Sequence, residues 1–457
     1  MVNPTMSEAR LLLRGGLCTT FLVVTLVLLW SAFTPSSLRA KTVTPPPVTE
    51  APEPARPVTV TSRVFNAKHE PVAGASAVAG EREVRTDAEG RFTIEAPAGT
   101  KVLVKLPGFQ KVTFPAAEAP AEVFLKPQTI KAAYLTYYGF VERSIRNRVL
   151  DLAAKTELNA VVIDVKGDRG WILYRTEVPM AIAAGAQGPA TVKDFDSMMA
   201  DLKARGIYTI ARVVTFKDNI LANHRPELAV MDTRTGKPWI DRENLAWVDP
   251  FRTEVWDYNI AIAQEAIRKG FDEVQFDYVR FPTDGKLSAA KYSREVNRET
   301  RLPTIAAFLE RARTKLGPLG AFVSADIFGY TAFNENDTDI GQRIEELAPH
   351  VDYLNPMVYP SGYHLGIPGY RNPVANPYQV VHESVRLIRK RANGTVAVVR
   401  PWLQDFRDYA FDRRIFGVPE VRAQIKGSDD GGGIGWMLWN PRNDYTGAAL
   451  REKVAAR

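Results

Sequence analysis

The sequence predicts an α/β fold, a (β/α)8 TIM barrel, preceded by a small all-β sandwich and an apolar N-terminal segment. Three observations predict it. From Lys131 onward, eight apolar runs rich in Val, Ile and aromatic residues alternate with segments of helical period. The links that follow those runs are long, and the links that precede them are short. Residues 58–126 show a different pattern, short strands and turns with no helical period.

The first forty residues are read as a flank and an anchor. Arg10 and Arg14 precede an uncharged run from Leu17 to Phe33. A basic flank before such a run marks an export signal or a single span, with the flank in the cytoplasm. Leu38-Arg39-Ala40 is a poor match to a small-x-small cleavage site, which favours an uncleaved anchor over a removed signal. The expectation is a cell-envelope protein, held in the inner membrane and facing the periplasm or exterior, or secreted if the segment is cleaved. Residues 41–57 carry Pro45-Pro46-Pro47, Pro52, Pro54 and Pro57, and read as an extended spacer.

Residues 58–127 read as the sandwich. Val58–Thr61, Arg91–Glu95, Lys101–Lys105 and Glu122–Leu125 are candidate strands, and Asp87-Ala88-Glu89-Gly90 and Pro107-Gly108 supply turns. Glu70–Ala75, Thr86–Ile94 and Pro107-Gly108-Phe109 resemble the carboxypeptidase regulatory-like domains. That resemblance implies a β-sandwich without catalytic residues, used as a spacer or for interaction.

Residues 129–457 read as the barrel. The apolar runs are Ala132–Tyr138, Ala160–Val165, Tyr208–Thr215, Glu273–Val279, Ala321–Ile327, Val351–Tyr359, Val396–Trp402 and Gly433–Trp439. Between them, Phe195, Met198, Met199 and Leu202 fall on one helical stripe, as do Trp256, Ile260, Ala263 and Ile267. Ile305, Phe308, Leu309, Ala312 and Leu316 form a third stripe. Gly206, Gly270 and Gly394 are helix stops. The long links, at 167–190, 217–250, 329–339 and 360–376, all follow strands. They collect at the C-terminal end of the barrel, where such folds hold their sites. A doubly wound open sheet is the alternative architecture.

Composition excludes several function classes. Hydrophobic residues make up 45% and charged residues 24% of 457, an ordinary globular balance. The net charge of +7 is dispersed, apart from Arg389-Lys390-Arg391 at a helix end, so nucleic acid is not expected as a partner. Cys18 is the sole cysteine, which removes internal disulfides and thiol catalysis. The five histidines have no zinc-ligand spacing, and no G-x-S-x-G elbow occurs. Neither a cofactor nor a metal is expected.

The informative residues are polar ones at strand ends, because a charge among apolar neighbours is costly unless paired. Asp164 and Lys166 end strand two, Arg212 lies on strand three, and Gln275, Asp277 and Arg280 end strand four. Asp326 ends strand five. Asn355 and Tyr359 lie on strand six, Arg400 and Trp402 on strand seven, and Trp439 on strand eight. Carboxylates meeting at one barrel end suit acid/base work on a polar substrate, and glycoside hydrolysis needs two of them flanking one bond. The expected catalytic set is Asp277 as nucleophile or base, Asp326 as general acid and Asp164 as stabiliser of the cationic transition state or ligand of a hydroxyl. Arg212 and Arg400 are expected to position carboxylates, and Asn355 and Tyr359 to bind hydroxyls. Tyr137, Tyr138, Trp171, Tyr359, Trp402 and Trp439 are candidate sugar platforms, and Lys166, Gln275 and Arg280 complete the substrate-binding set. Asp168, Asp284 and Asp405 are loop acids with no assigned role.

Residues 129–457 resemble a bacterial family of glycoside-hydrolase-like barrels. Val162–Lys166, Glu273–Pro282 and Leu354–Pro360 carry the resemblance. It implies activity like that of amylase-type barrels, with a strand-four aspartate as nucleophile and a strand-five glutamate as acid. Here Asp326 stands in place of that glutamate. The resulting expectation is a glycosidase acting on an envelope or extracellular polysaccharide. Its rivals are a non-catalytic glycan-binding barrel and a metal-assisted polysaccharide deacetylase with Asp164, Asp277 and Asp326 as oxygen ligands.

Overall fold

The computed structural model describes residues 57–453. The anchor segment and most of the proline-rich spacer lie outside them, so the membrane expectation falls on residues that are not described. Among the described residues, no helix is long and apolar enough to cross a membrane.

Eight parallel strands close into a ring with helices outside it. In chain order they are Ile130–Leu135, Ala160–Lys166, Tyr208–Val214, Glu273–Asp277, Phe322–Phe328, Tyr353–Met357, the pair Val398–Val399 with Trp402–Gln404, and Gly435–Trp439. The eighth pairs with the first, which pairs with the second, so no edge is left open. Strand seven is split because Pro401 has no N–H to offer the ladder. Strand one ends at Leu135, short of the expected Tyr138. Thr136 caps a short helix, Tyr137–Val141, by accepting from the Gly139 N–H at 2.9 Å.

Helices Arg143–Lys155, Phe195–Ala204, Thr253–Arg268, Arg298–Leu316, Pro377–Arg391 and Val418–Gly431 bury their apolar stripes against the strands' outer face. In Arg298–Leu316 the buried residues include Ile305, Phe308, Leu309, Ala312 and Leu316, the stripe read from the sequence. Each large apolar side chain so buried contributes roughly 1.5–3 kcal/mol.

Alternation along each strand sends the other residues into the lumen. Near its N-terminal end, Glu273 is fully buried and takes bonds from the Tyr208 hydroxyl at 3.0 Å, the Ser324 hydroxyl at 2.5 Å and Arg400 Nη1 at 3.1 Å.

Residues 58–125 form seven strands in two sheets, one of three strands and one of four, around a shared core that includes Val60, Phe92, Val104 and Val123. They pack beneath the barrel's N-terminal end. The Gly108 N–H donates to the Tyr353 hydroxyl at 3.1 Å, Lys111 Nζ to the Asp272 carbonyl at 2.9 Å, and Lys105 Nζ to the Ala321 carbonyl. Arg313 pairs with Glu83 at 2.6 Å. The opposite end of the barrel is therefore the open one.

Candidate active site

A cleft of about 650 Å³ opens at the C-terminal ends of the strands. Asp277, the last residue of strand four, lines it. Arg212, from strand three, reaches across and donates from Nε and Nη2 to one oxygen of Asp277, at 3.0 and 2.6 Å. Its third nitrogen, Nη1, donates to Asp164 Oδ1 at 2.6 Å. Asp164 Oδ2 accepts from the Tyr134 hydroxyl at 2.6 Å. One guanidinium thus joins two carboxylates, and both oxygens of Asp164 are engaged. Arg212 sits where the metal-assisted reading needs a cation between Asp164 and Asp277.

Asp277 Oδ1 accepts from the Tyr278 N–H at 2.6 Å. Tyr278 has a φ of 49°, a left-handed backbone that costs a non-glycine residue of order 1 kcal/mol or more. The chain turns sharply there, and Asp277 is held at the strand tip with Tyr278 and Arg280 beside it in the cleft wall.

Asp326 takes a deeper place. It is 1% exposed, and its Oδ1 accepts from Trp402 Nε1 at 2.9 Å. Among the described residues its Oδ2 has no partner. Burial, reinforced by the Asp277 carboxylate, pushes its pKa well above the usual carboxylate range. It lies behind the cleft floor, not among the residues lining the cleft, and is held toward its neutral form. Asp168, from the loop after strand two, does line the cleft. Its side chain keeps 36% of its surface exposed, and its nearest cation is Arg212 Nη2 at 3.6 Å. Burial of its inner side raises its pKa, with the Asp164 and Asp277 carboxylates adding to the effect and Arg212 opposing it.

Aromatic rings form the remaining walls. Trp439 stacks on Tyr134 with centroids 4.0 Å apart and planes within 9°, and the Arg212 guanidinium lies 5.2 Å from the Trp439 ring. Tyr359, Phe406 and Tyr409 face the same space, with Trp402 below them.

Several expected members lie elsewhere. Lys166 is fully buried in an ion pair with Asp218 at 2.6 Å, against the Tyr258 ring of helix Thr253–Arg268. A register shift beside Arg212 breaks the alternation that was expected to put Lys166 and Asp164 on one face. Arg400 points down the lumen to Glu273, at the barrel's far end. Tyr137 and Trp171 pack together, with centroids 6.1 Å apart, outside the cleft lining. Gln275 and Asn355 are fully buried in the lumen. Gln275 reaches Met437 Sδ at 3.5 Å, and neither polar atom of the Asn355 side chain has a partner among the described residues.

Other site residues were not singled out in the sequence, or, like Asp168, were named there without a role. Tyr134 follows Ala132 on the lumen face of strand one, so strand alternation alone points to it. Asp168, Phe406, Arg407, Tyr409 and Arg442 come from irregular loops, where no period marks them.

A family model described as "Putative glycosyl hydrolase domain" matches residues 132–445. Among solved structures, a hypothetical protein from Ruminiclostridium thermocellum ATCC 27405 is 36% identical, with 42% of this chain and 96% of that one covered at a TM-score of 0.38. The PgaB (BpsB) glycoside hydrolase domain from Bordetella bronchiseptica is 13% identical, with 69% and 95% covered at a TM-score of 0.49. The spore cortex-lytic enzyme SleL from Bacillus megaterium QM B1551 is 9% identical, with 74% and 75% covered at 0.43. A search of curated proteins finds no significant match.

Proposed function

The chain belongs to the family described as "Putative glycosyl hydrolase domain", and on that premise we propose that it hydrolyses glycosidic bonds in a polysaccharide of the cell envelope or exterior. The observation that carries this reading is the pairing, at one barrel end, of a carboxylate gripped by Arg212 with a cleft-facing carboxyl of raised pKa.

Hydrolysis of a glycoside needs an ionised carboxylate on one side of the bond and a proton-bearing one on the other. Asp277 is the first, as nucleophile or base, and Arg212 supplies its charge partner. Asp326 was expected to be the second. Its burial behind the cleft floor favours Asp168 as the group that hands a proton to the leaving oxygen, because Asp168 lines the cleft and is held toward its neutral form. Asp326 then acts as a neutral neighbour that spares Asp277 a second adjacent charge. Asp164 and Tyr134 fix the far side of Arg212. Trp439 and Tyr359 cover the apolar faces of sugar rings. The N-terminal strands, proposed as a carboxypeptidase regulatory-like module, and the apolar segment from Leu17 to Phe33, proposed as a membrane anchor or export signal, hold the barrel in the envelope.

The burial of Asp326 also favours a second reading, in which the barrel binds glycans without cleaving them. Incubation of the intact chain with a panel of envelope and storage polysaccharides separates the two. Release of new reducing ends from at least one polymer is expected. Saturable binding with no release from any polymer would replace the hydrolase by the binding protein.

A further inference from the structure

Arg280 is a buried cation in the cleft wall with no carboxylate at ion-pair distance among the described residues. It is 7% exposed, and among the described residues its side chain makes one hydrogen bond, from Nη1 to the Phe281 carbonyl at 2.9 Å, and no ion pair. Three rings enclose it, Phe328 at 4.5 Å, Tyr278 at 5.0 Å and Trp247 at 5.2 Å. The carboxylates whose fields reach it have other partners. Asp277 is held by Arg212, Asp241 by Lys217 at 3.1 Å, and Asp284 accepts from the Arg242 N–H at 3.2 Å. Burial pushes the Arg280 pKa below its ordinary value, so those fields do not make up for the lost water. A buried, unpaired cation is costly, and the cost is relieved when an anion docks on it. Arg407 and Arg442 line the same cleft. Of the cleft's acids, Glu243 shares Lys217 with Asp241, and Asp277 shares Arg212 with Asp164 and, at 3.6 Å, with Asp168; none is at ion-pair distance from Arg280.

We propose that the cleft recognises a glycan whose sugar units bear an anionic group, a carboxylate or sulfate, which docks on Arg280 inside its aromatic cage with Arg407 and Arg442 at the rim. This rests on the glycan-acting reading of the cleft and names its substrate class. The planar guanidinium fork suits a two-oxygen anion. The flanking rings exclude water from the contact, which strengthens it.

Titration of the intact chain at low ionic strength with D-glucuronate, D-glucose 6-sulfate and D-glucose, followed by tryptophan fluorescence and calorimetry, tests the proposal. At least one anionic sugar is expected to bind about tenfold or more tightly than glucose, because the guanidinium–anion bond is charge-assisted and glucose lacks it. Which of the two prevails distinguishes the carboxylate from the sulfate. Arg280→Met is expected to erase the preference and Arg280→Lys to keep part of it. Equal affinity for all three sugars, no binding of any, or a preference unchanged in a folded Arg280→Met variant would overturn the proposal. Cleavage of a neutral glycan without anion preference would leave the hydrolase reading intact and remove this one. Anion preference without cleavage of any glycan would do the reverse.

Discussion

Arg212 places two of its nitrogens, Nε and Nη2, on a single oxygen of Asp277. The other oxygen of Asp277 faces its own chain, taking the Tyr278 N–H. The carboxylate is therefore fixed in rotation, and the same guanidinium that fixes it is itself fixed by Asp164 and, through it, Tyr134. Removal of any one member has consequences that differ from removal of another.

Arg212→Met leaves Asp164 and Asp277 buried without their shared cation. Breaking a buried pair in this way costs about 3–5 kcal/mol, so a clear loss of stability in urea unfolding is expected along with loss of activity. Tyr134→Phe removes only the hydroxyl that orients Asp164, at about 1–3 kcal/mol, and is expected to keep measurable turnover. Similar unfolding midpoints for the two variants would contradict this order.

Asp168→Asn tests the proton donor. In the wild type, kcat/KM should fall as pH rises through the elevated pKa of Asp168, because the donor is lost on ionisation. The variant should lose that alkaline limb and about 10²–10⁴-fold in rate on natural glycans, and much less on aryl glycosides whose leaving group needs no proton. If Asp326→Asn instead reproduces both effects while Asp168→Asn does not, the acid role belongs to Asp326.

Asp326→Asn should stabilise the protein at neutral pH. The native pKa of Asp326 lies above its unfolded value, so the folded state binds the extra proton, and this group's contribution is favourable in acid. It declines as pH rises from about 4 toward the native pKa. Asparagine keeps an acceptor for Trp402 Nε1 and cannot ionise. The melting temperature of the variant should match the wild type near pH 4 and exceed it by pH 8. A lower melting temperature at pH 8 would show that the carboxyl is not held neutral.

Lys105 links the N-terminal strands to the barrel floor, and burial lowers its pKa to about 8. Here the unfolded chain binds the extra proton between about pH 8 and 10.5, so stability from this group rises with pH across that window and is poorest below it. Lys105→Met should relieve a penalty of about 3 kcal/mol at pH 7, less whatever the bond to Ala321 supplies. Its advantage over the wild type should shrink between pH 8 and 10. An advantage that grows with pH would contradict the assignment.

The strands and the open barrel end were legible in the sequence for a plain reason. Apolar runs of strand length and long links after them are direct outcomes of burying a parallel sheet under helices. Asp277 was legible because a carboxylate at the end of Val274-Gln275-Phe276 is expensive without a purpose. Departures of local geometry from the ideal leave no mark in the sequence pattern. A register shift turned Lys166 away from Asp164, and Arg400, expected to position a carboxylate at the open end, reaches Glu273 at the far end instead. The unpaired state of Arg280 depends on what every other charged group nearby is doing, and only the folded arrangement reveals that.

Asp277 is where the whole account can be tested most directly. On a glycan that the wild type cleaves, reducing-end release by a folded Asp277→Asn variant should fall by at least ~10³-fold while affinity for the glycan stays within a few fold. Turnover by that variant at the wild-type rate would mean that the carboxylate held by Arg212 does no chemistry.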